Sequence, residues 1–182
     1  MKKVLLLGDS IRINYQDLVK EKLEGRAEVV SPESNCAFAK YTLCCLGGWL
    51  KELGTPDIVH WNNGIWDACI RFEEDGPFTP IDEYLDALRR ILRELRKTGA
   101  QVIFATSTPP RDEHDNQNRN RIAWYNHEAV RLMKQEGVPV DDLFAVIDAD
   151  REGLICDDYC HLNDAGKQAC SDAVVKCIEQ YL

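Results

Sequence analysis

Val4-Leu5-Leu6-Leu7-Gly8-Asp9-Ser10 is an unbroken apolar run that ends in a glycine, an acid and a hydroxyl. Apolar residues in succession, without alternation, describe a strand buried on both faces, as in a parallel sheet covered by helices. Similar short runs recur along the chain between longer amphipathic stretches. That alternation predicts a mostly parallel sheet with helices on each side. Residues 3–7, 28–30, 57–61, 101–105 and 138–140 read as its five strands.

The helices fall between them. Leu18, Val19 and Leu23 have helical spacing, with Gly25 placed to stop the turn. Residues 41–53 read as a helix with Gly54 beyond its end. The clearest helix opens at Thr79-Pro80-Ile81-Asp82, where Thr79 is expected to cap, Pro80 suits the first turn and Asp82 favours the positive end. Its stripe is Ile81, Tyr84, Leu85, Leu88, Leu92 and Leu95, and Gly99 closes it. Further helices are predicted over 120–135, 142–149 and 164–180, the last capped by Asn163 and Asp164. Only residues 106–119 form a long irregular stretch. The expected fold is α/β, a three-layer sandwich in a single domain spanning residues 1–182.

Composition narrows the function. The net charge is -9 and the densest basic stretch, Arg89-Arg90 to Arg96-Lys97, interleaves with Ile91, Leu92 and Leu95. Such a stretch is the wet face of a helix, not a phosphate-binding patch, so neither nucleic acid nor membrane is an expected partner. Met1-Lys2-Lys3 followed by Val4–Leu7 imitates a secretion signal, but the apolar part stops at Gly8-Asp9. A cytoplasmic location is expected. The eight cysteines are then expected as reduced thiols, and none shows paired zinc-ligand spacing, so no metal site is anticipated.

The chemistry lies at the two ends. In an open α/β sheet, ligands sit beyond the carboxyl ends of the strands. Ser10 follows the first strand and Asn62-Asn63-Gly64 follows the third, which sets both at one rim. A serine at a helix start caps well, and its own backbone N–H points outward toward any developing negative charge. His161 follows Asp158 by three residues, a spacing that lets one turn hold both side chains on one side. The carboxylate then accepts from Nδ1 and leaves Nε2 free for a hydroxyl proton. Asp157 is the rival carboxylate. His60 falls within a strand and is read as packed, whereas His114 and His127 are read as solvated or helix-face residues. Trp61, Trp66 and Phe72 near the rim are candidates for stacking on a sugar ring, with core packing the competing role for Trp61. Arg12 is read as a solvated helix-face residue, or as one that steers an anionic substrate. Glu73-Glu74-Asp75 is read as a solvated loop.

With Gly8-Asp9-Ser10 after the first strand and Asp158-Tyr159-Cys160-His161-Leu162-Asn163 before the last helix, the chain resembles the GDSL/SGNH hydrolases. These are esterases, lipases, thioesterases and carbohydrate deacetylases on a flavodoxin-like sandwich. The resemblance implies Ser10 as nucleophile, His161 as general base and Asp158 as its orienting acid. It also marks two departures. The family's third block carries an asparagine where Gly64-Ile65-Trp66-Asp67 presents Trp66, which leaves the Asn62 and Asn63 amides as candidate oxyanion donors. The second block's glycine is absent from Ser34-Asn35-Cys36-Ala37, where the Cys36 N–H is the candidate. The stretch 62–67 together with Thr108-Pro109-Pro110 further resembles a bacterial subset grouped with carbohydrate esterases.

The function implied is hydrolysis of a small ester through an acyl-serine, without cofactor. The Ser10 N–H, Cys36 and an Asn62 or Asn63 amide hold the oxyanion, Trp66 lines the substrate, and an acetylated sugar is the first-choice ligand. Two alternatives stay open: a short-chain acyl thioesterase or lysophospholipase, and a non-catalytic carbohydrate-binding relic of the same scaffold.

Overall fold

Five strands, β1 (Lys2–Leu7), β2 (Ala27–Val30), β3 (Ile58–Asn62), β4 (Gln101–Ala105) and β5 (Val140–Asp141), form one sheet in the order β2-β1-β3-β4-β5. Every neighbouring pair is parallel. The computed structural model describes residues 1–112 and 114–182; Glu113, in the irregular 106–119 stretch, lies outside the described residues. Val4, Leu5, Leu6 and Leu7 are fully buried, as their uninterrupted apolar run requires, and all of β3 is buried beside them.

The helices are α1 (Ser10–Lys22), α2 (Ala39–Leu53), α3 (Ile65–Ala68), α4 (Ile81–Arg96), α5 (Arg119–Gln135), α6 (Leu143–Asp148), α7 (Arg151–Leu154) and α8 (Asp164–Glu179). α1 packs on α8 with α6 and α7 nearby, whereas α2, α4 and α5 pack together. Right-handed crossovers explain the split, because the chain moves one way from β1 to β2 and the other way from β2 through β5. The result is the three-layer α/β/α sandwich. Its direction reverses between β1 and β3, so the rim of those two strands is the switch point at which ligands bind.

Several local expectations need correction. Thr79 does not cap α4: Pro80 holds the N-cap position without a side-chain bond. The Thr79 hydroxyl bonds Asp67, and its carbonyl accepts from Tyr125 Oη at 2.6 Å. A buried carboxylate competes for that hydroxyl more strongly than an exposed helix end. The fifth strand is shorter and later than expected, because Pro139 cannot donate; its carbonyl accepts from the Phe104 N–H at 3.0 Å. The short helices α3 and α7 and a 3-10 turn at Glu73–Asp75 carry too few residues to show periodicity in sequence.

The start of α8 fixes the segment that precedes it. Asn163 caps the helix by accepting from the Gly166 N–H at 3.0 Å, and its own N–H donates to the Leu154 carbonyl at 3.1 Å. That carbonyl lies so close that a Cβ on Gly166 would sit 2.1 Å from it. Gly166→Ala is therefore expected to destabilise the fold by about 1–3 kcal/mol through overpacking against backbone that cannot yield. In a chain of this size that lowers the melting temperature by several degrees; an unchanged thermal midpoint would refute the close approach.

Candidate active site

Two turns at opposite ends of the chain meet over the β1–β3 rim. At the first, the buried Asp9 caps α1 by accepting from the Ile11 N–H at 3.0 Å, which presents Ser10 as the first helical residue. No described group accepts from the Ser10 N–H. At the second, Tyr159 takes a left-handed conformation (φ 64°) that folds residues 156–161 into a tight loop. The Cys156 N–H closes it by donating to the His161 carbonyl at 2.7 Å.

Within that loop Asp158 Oδ1 accepts from the backbone N–H groups of Cys160 at 3.0 Å and His161 at 2.9 Å. Its Oδ2 lies 2.7 Å from His161 Nδ1, and His161 Nε2 lies 2.8 Å from Ser10 Oγ. Ser10, His161 and Asp158 thus form one hydrogen-bonded relay, and Asp158 rather than Asp157 meets the imidazole. Partial burial works against ionisation of Asp158, but the two N–H bonds and the imidazole outweigh it and hold its pKa below the ordinary carboxylate range. Nδ1 bonded to a carboxylate carries the ring proton, which leaves Nε2 as the acceptor for a hydroxyl.

A residue not singled out from the sequence joins the two turns. Asn14, one helical turn after Ser10 on α1, accepts from the Leu162 N–H at 3.1 Å. Its spacing from Ser10 puts both on one helix face, and that spacing was the available signal. Below it, Lys22 Nζ reaches α8 at Ser171 Oγ and Asp172 Oδ1, both at 2.6 Å.

Three of the four expected oxyanion donors, all but the Ser10 N–H, are committed elsewhere. Asn62 Nδ2 donates to the Ala105 carbonyl at 3.1 Å and to Ser107 Oγ at 3.3 Å. Asn63 Nδ2 donates to the Ala37 carbonyl at 3.1 Å and to Thr42 Oγ1 at 3.0 Å, while its oxygen accepts from Trp61 Nε1 at 2.7 Å. Both hydrogens of each amide are therefore used. The Cys36 N–H donates to the Gly8 carbonyl at 3.1 Å. All three residues tie the rim together beneath the surface.

Ser10 and His161 open into a recess of about 420 Å³, walled by Asn35, Ile65, Trp66, Arg71, His114 and Cys160 among others. Trp66 lines that recess, with the Arg71 guanidinium 5.1 Å above its ring. Phe72 is 68% exposed and borders a neighbouring hollow instead, and Trp61 is wholly in the core. A larger groove of about 980 Å³ between α2 and α4 holds none of the relay residues.

Other sequence readings change. Arg12 neither faces solvent nor steers substrate: it is 1% exposed and bonds the carbonyls of Gly8, Pro32 and Ser34. His60 is packed in the interior beside an acid distant in sequence, with Asp141 Oδ2 2.9 Å from its Nε2. His114 lines the recess, and its Nδ1 accepts from the N–H groups of Asn116 and Gln117. Burial pushes its pKa down, so it faces the recess as a neutral ring. His127 is an exposed helix-face residue. Among the described residues no cluster of His, Cys, Asp and Glu converges on a metal-sized point. No helix among them is long and apolar enough to cross a membrane. The eight cysteines are free thiols.

Comparison with known proteins bears on this arrangement. Residues 6–169 match a family model described as GDSL-like lipase/acylhydrolase. No curated protein sequence matches the chain significantly. Among solved structures, a lipase/acylhydrolase from Enterococcus faecalis superposes with a TM-score of 0.85 at 20% identity, over 99% of this chain and 96% of that one. The acetyl xylan esterase AlAXEase gives a TM-score of 0.76 at 19% identity over 97% and 99% of the two chains. A catalytic variant of the acetylxylan esterase Axe2 from Geobacillus stearothermophilus gives 0.78 at 18% identity over 96% and 93%. At these identities the likeness is one of fold.

Two buried acids beside the relay make stability depend on pH. Burial raises Asp67 to about 7, against the stabilising bonds it accepts from the Thr79 hydroxyl and the Ala39 N–H. Burial likewise raises Asp9 to about 6, offset in part by the Ile11 N–H, Arg12 and His161. An unfolded aspartate titrates near ~4, so between that value and the folded one the native state binds the proton more tightly. The stability from these protons is complete below the unfolded pKa and is lost as pH rises through about 6 to 7. Denaturant titrations are expected to show stability falling between pH 5 and 8, with Asp67 contributing about 2–3 kcal/mol of the change. Asp67→Asn should flatten that slope; a slope equal to the parent's would rule out the buried acid as its source.

Proposed function

Because the chain belongs to the GDSL-like lipase/acylhydrolase family, we propose that it hydrolyses a small ester through an acyl-serine formed on Ser10. The observation that carries this reading is the relay of 2.8 Å from Ser10 Oγ to His161 Nε2 and 2.7 Å from His161 Nδ1 to Asp158 Oδ2. A hydroxyl is too weakly acidic to attack at neutral pH unless a base takes its proton in the same step.

Ser10 Oγ attacks the carbonyl carbon while its proton passes to His161 Nε2. The carbonyl π electrons move onto oxygen, where the Ser10 N–H donates to the developing charge. As the tetrahedral intermediate collapses, the C–O bond to the alcohol breaks and the leaving oxygen takes the proton from Nε2. Water then repeats the sequence: it gives a proton to Nε2 and attacks the acyl carbon, and Ser10 leaves as the alcohol by recovering that proton. Asp158 stays ionised throughout and stabilises the imidazolium.

For the substrate we favour an O-acetyl or short acyl ester on a carbohydrate. A recess of about 420 Å³ suits a small acyl group, and Trp66 offers an apolar face to a sugar ring at its wall. Two proteins of the same fold are acetylxylan esterases, which supports the sugar ester as alcohol half. Free thiols throughout suit a reducing compartment such as the cytoplasm. Trp66 in place of the family's asparagine is the feature that would favour a non-catalytic binding relic, and the aligned relay together with the acylhydrolase family favours the enzyme.

Incubation with a fluorophosphonate probe should label Ser10, as located by peptide mass mapping. Ser10→Ala should abolish labelling and lower kcat by about a million-fold with an unchanged melting temperature. Acetylated xylo-oligosaccharides and p-nitrophenyl acetate should be turned over faster than long-chain p-nitrophenyl esters. Turnover retained without the hydroxyl would end the proposal, and a long-chain preference would overturn the acetyl assignment alone.

A further inference from the structure

We infer that the Asn35 side-chain amide is the second oxyanion donor, acting with the Ser10 N–H; this rests on the serine-hydrolase reading above. The amides of Asn62 and Asn63 and the N–H of Cys36 are all engaged, so one position of the hole has no donor from the expected blocks. Asn35 lines the same recess as Ser10 and His161.

Its place is fixed from both sides. The preceding carbonyl, of Ser34, accepts from Arg12 Nη2 at 2.8 Å, and the following N–H, of Cys36, donates to the Gly8 carbonyl at 3.1 Å. The same Arg12 Nη2 also donates to Gly8 at 3.3 Å. Asn35 is thereby bracketed against the segment that ends in the nucleophile.

The orientation of its amide is fixed as well. Asn35 Oδ1 accepts from the Ala37 N–H at 2.8 Å, in a turn that holds Ala37 left-handed at φ 47°. Only the carbonyl oxygen can accept from an N–H, so the NH2 group points the other way. Among the described residues nothing accepts from Nδ2. Gln117 is the other amide in the recess, but its Oε1 accepts from the Cys160 thiol at 3.2 Å, which puts it on the histidine's side. Asn35, by contrast, is tied through Arg12 and the Cys36 N–H to the Gly8 carbonyl, two residues before the Ser10 N–H. No proton moves to or from Asn35; it donates a hydrogen bond that strengthens as the carbonyl oxygen gains charge.

Two variants separate donation from scaffolding. Asn35→Asp keeps an oxygen for the Ala37 N–H and removes the donor, whereas Asn35→Ala removes both. With p-nitrophenyl acetate, each is expected to lose about 10²–10³-fold in kcat with KM within a few-fold of the parent. The loss should persist on the alkaline plateau of the pH profile, where a merely perturbed histidine would recover. If Asn35→Ala fails to fold, Asn35→Asp decides alone. An Asn35→Asp enzyme within threefold of the parent kcat, or one restored on that plateau, overturns the assignment. A parent protein unlabelled by fluorophosphonate would remove the underlying reaction, whereas a labelled parent with unaffected variants removes only Asn35.

Discussion

The Gly8 carbonyl and the buried guanidinium of Arg12 are the contact on which the rim is assembled. A guanidinium removed from water is tolerated only when its donors are met, and here Gly8, Pro32, Ser34 and Gln16 meet them. Three of those acceptors are main-chain oxygens on two segments distant in sequence, so one side chain fixes the spacing of the β1–α1 corner and the loop after β2. Gly8 is required for the approach: a Cβ there would lie 2.8 Å from Arg12 Cβ. With the corner fixed, Asp9 turns inward to cap α1 and Ser10 is left facing outward. The recess wall and the place of Ser10 are therefore set by one desolvated charge.

The far end of the chain is brought to that corner by packing and then adjusted by a few polar contacts. α1 and α8 lie side by side over the sheet, which delivers the 155–163 segment to the start of α1. An antiparallel bridge between Ile155 and Leu162 closes the loop on itself. Asn14 then sets the loop's height above the helix through the Leu162 N–H, next in sequence to His161. The left-handed Tyr159 is the strained element, and two supports hold it: its carbonyl accepts from the Arg111 N–H at 2.8 Å, and the Arg111 guanidinium covers its ring at 5.1 Å. Relay geometry is thus carried by backbone contacts whose partners are themselves buried or bonded.

Much of this was legible in the sequence, and the reason is locality. Val4–Leu7 reads as a doubly buried strand because nothing polar interrupts it, and Asp158 and His161 can share a turn because of their spacing, so the layers and the acid–imidazole pair were within reach while the strand order was not. The misreadings share one cause, long-range polar pairing. Arg12 has the spacing of a solvated residue on α1, and only the loop after β2 explains its burial. Thr79 has the signature of a cap, yet a buried Asp67 takes its hydroxyl. Asn62 and Asn63 sit at the right rim, but their amides turn to Ala105 and Ala37, carbonyls that no spacing rule connects to them.

The fate of Asn63 explains how a departure at Trp66 is compatible with an ordered hole. Its amide donates to the Ala37 carbonyl and to Thr42, and its oxygen holds the Trp61 indole, so the residue is a strut between β3 and the start of α2. Asp67 adds to the same joint by accepting the Ala39 N–H with both oxygens. What this joint immobilises is the segment 35–39, which includes a residue held left-handed without being glycine. Holding Ala37 in that conformation costs on the order of 1 kcal/mol. The bonds at Asn63 and Asp67 offset that cost, and the conformation in turn aims the Asn35 amide. Asn63 thus supports the loop that carries Asn35, while Trp66 shapes the wall of the recess.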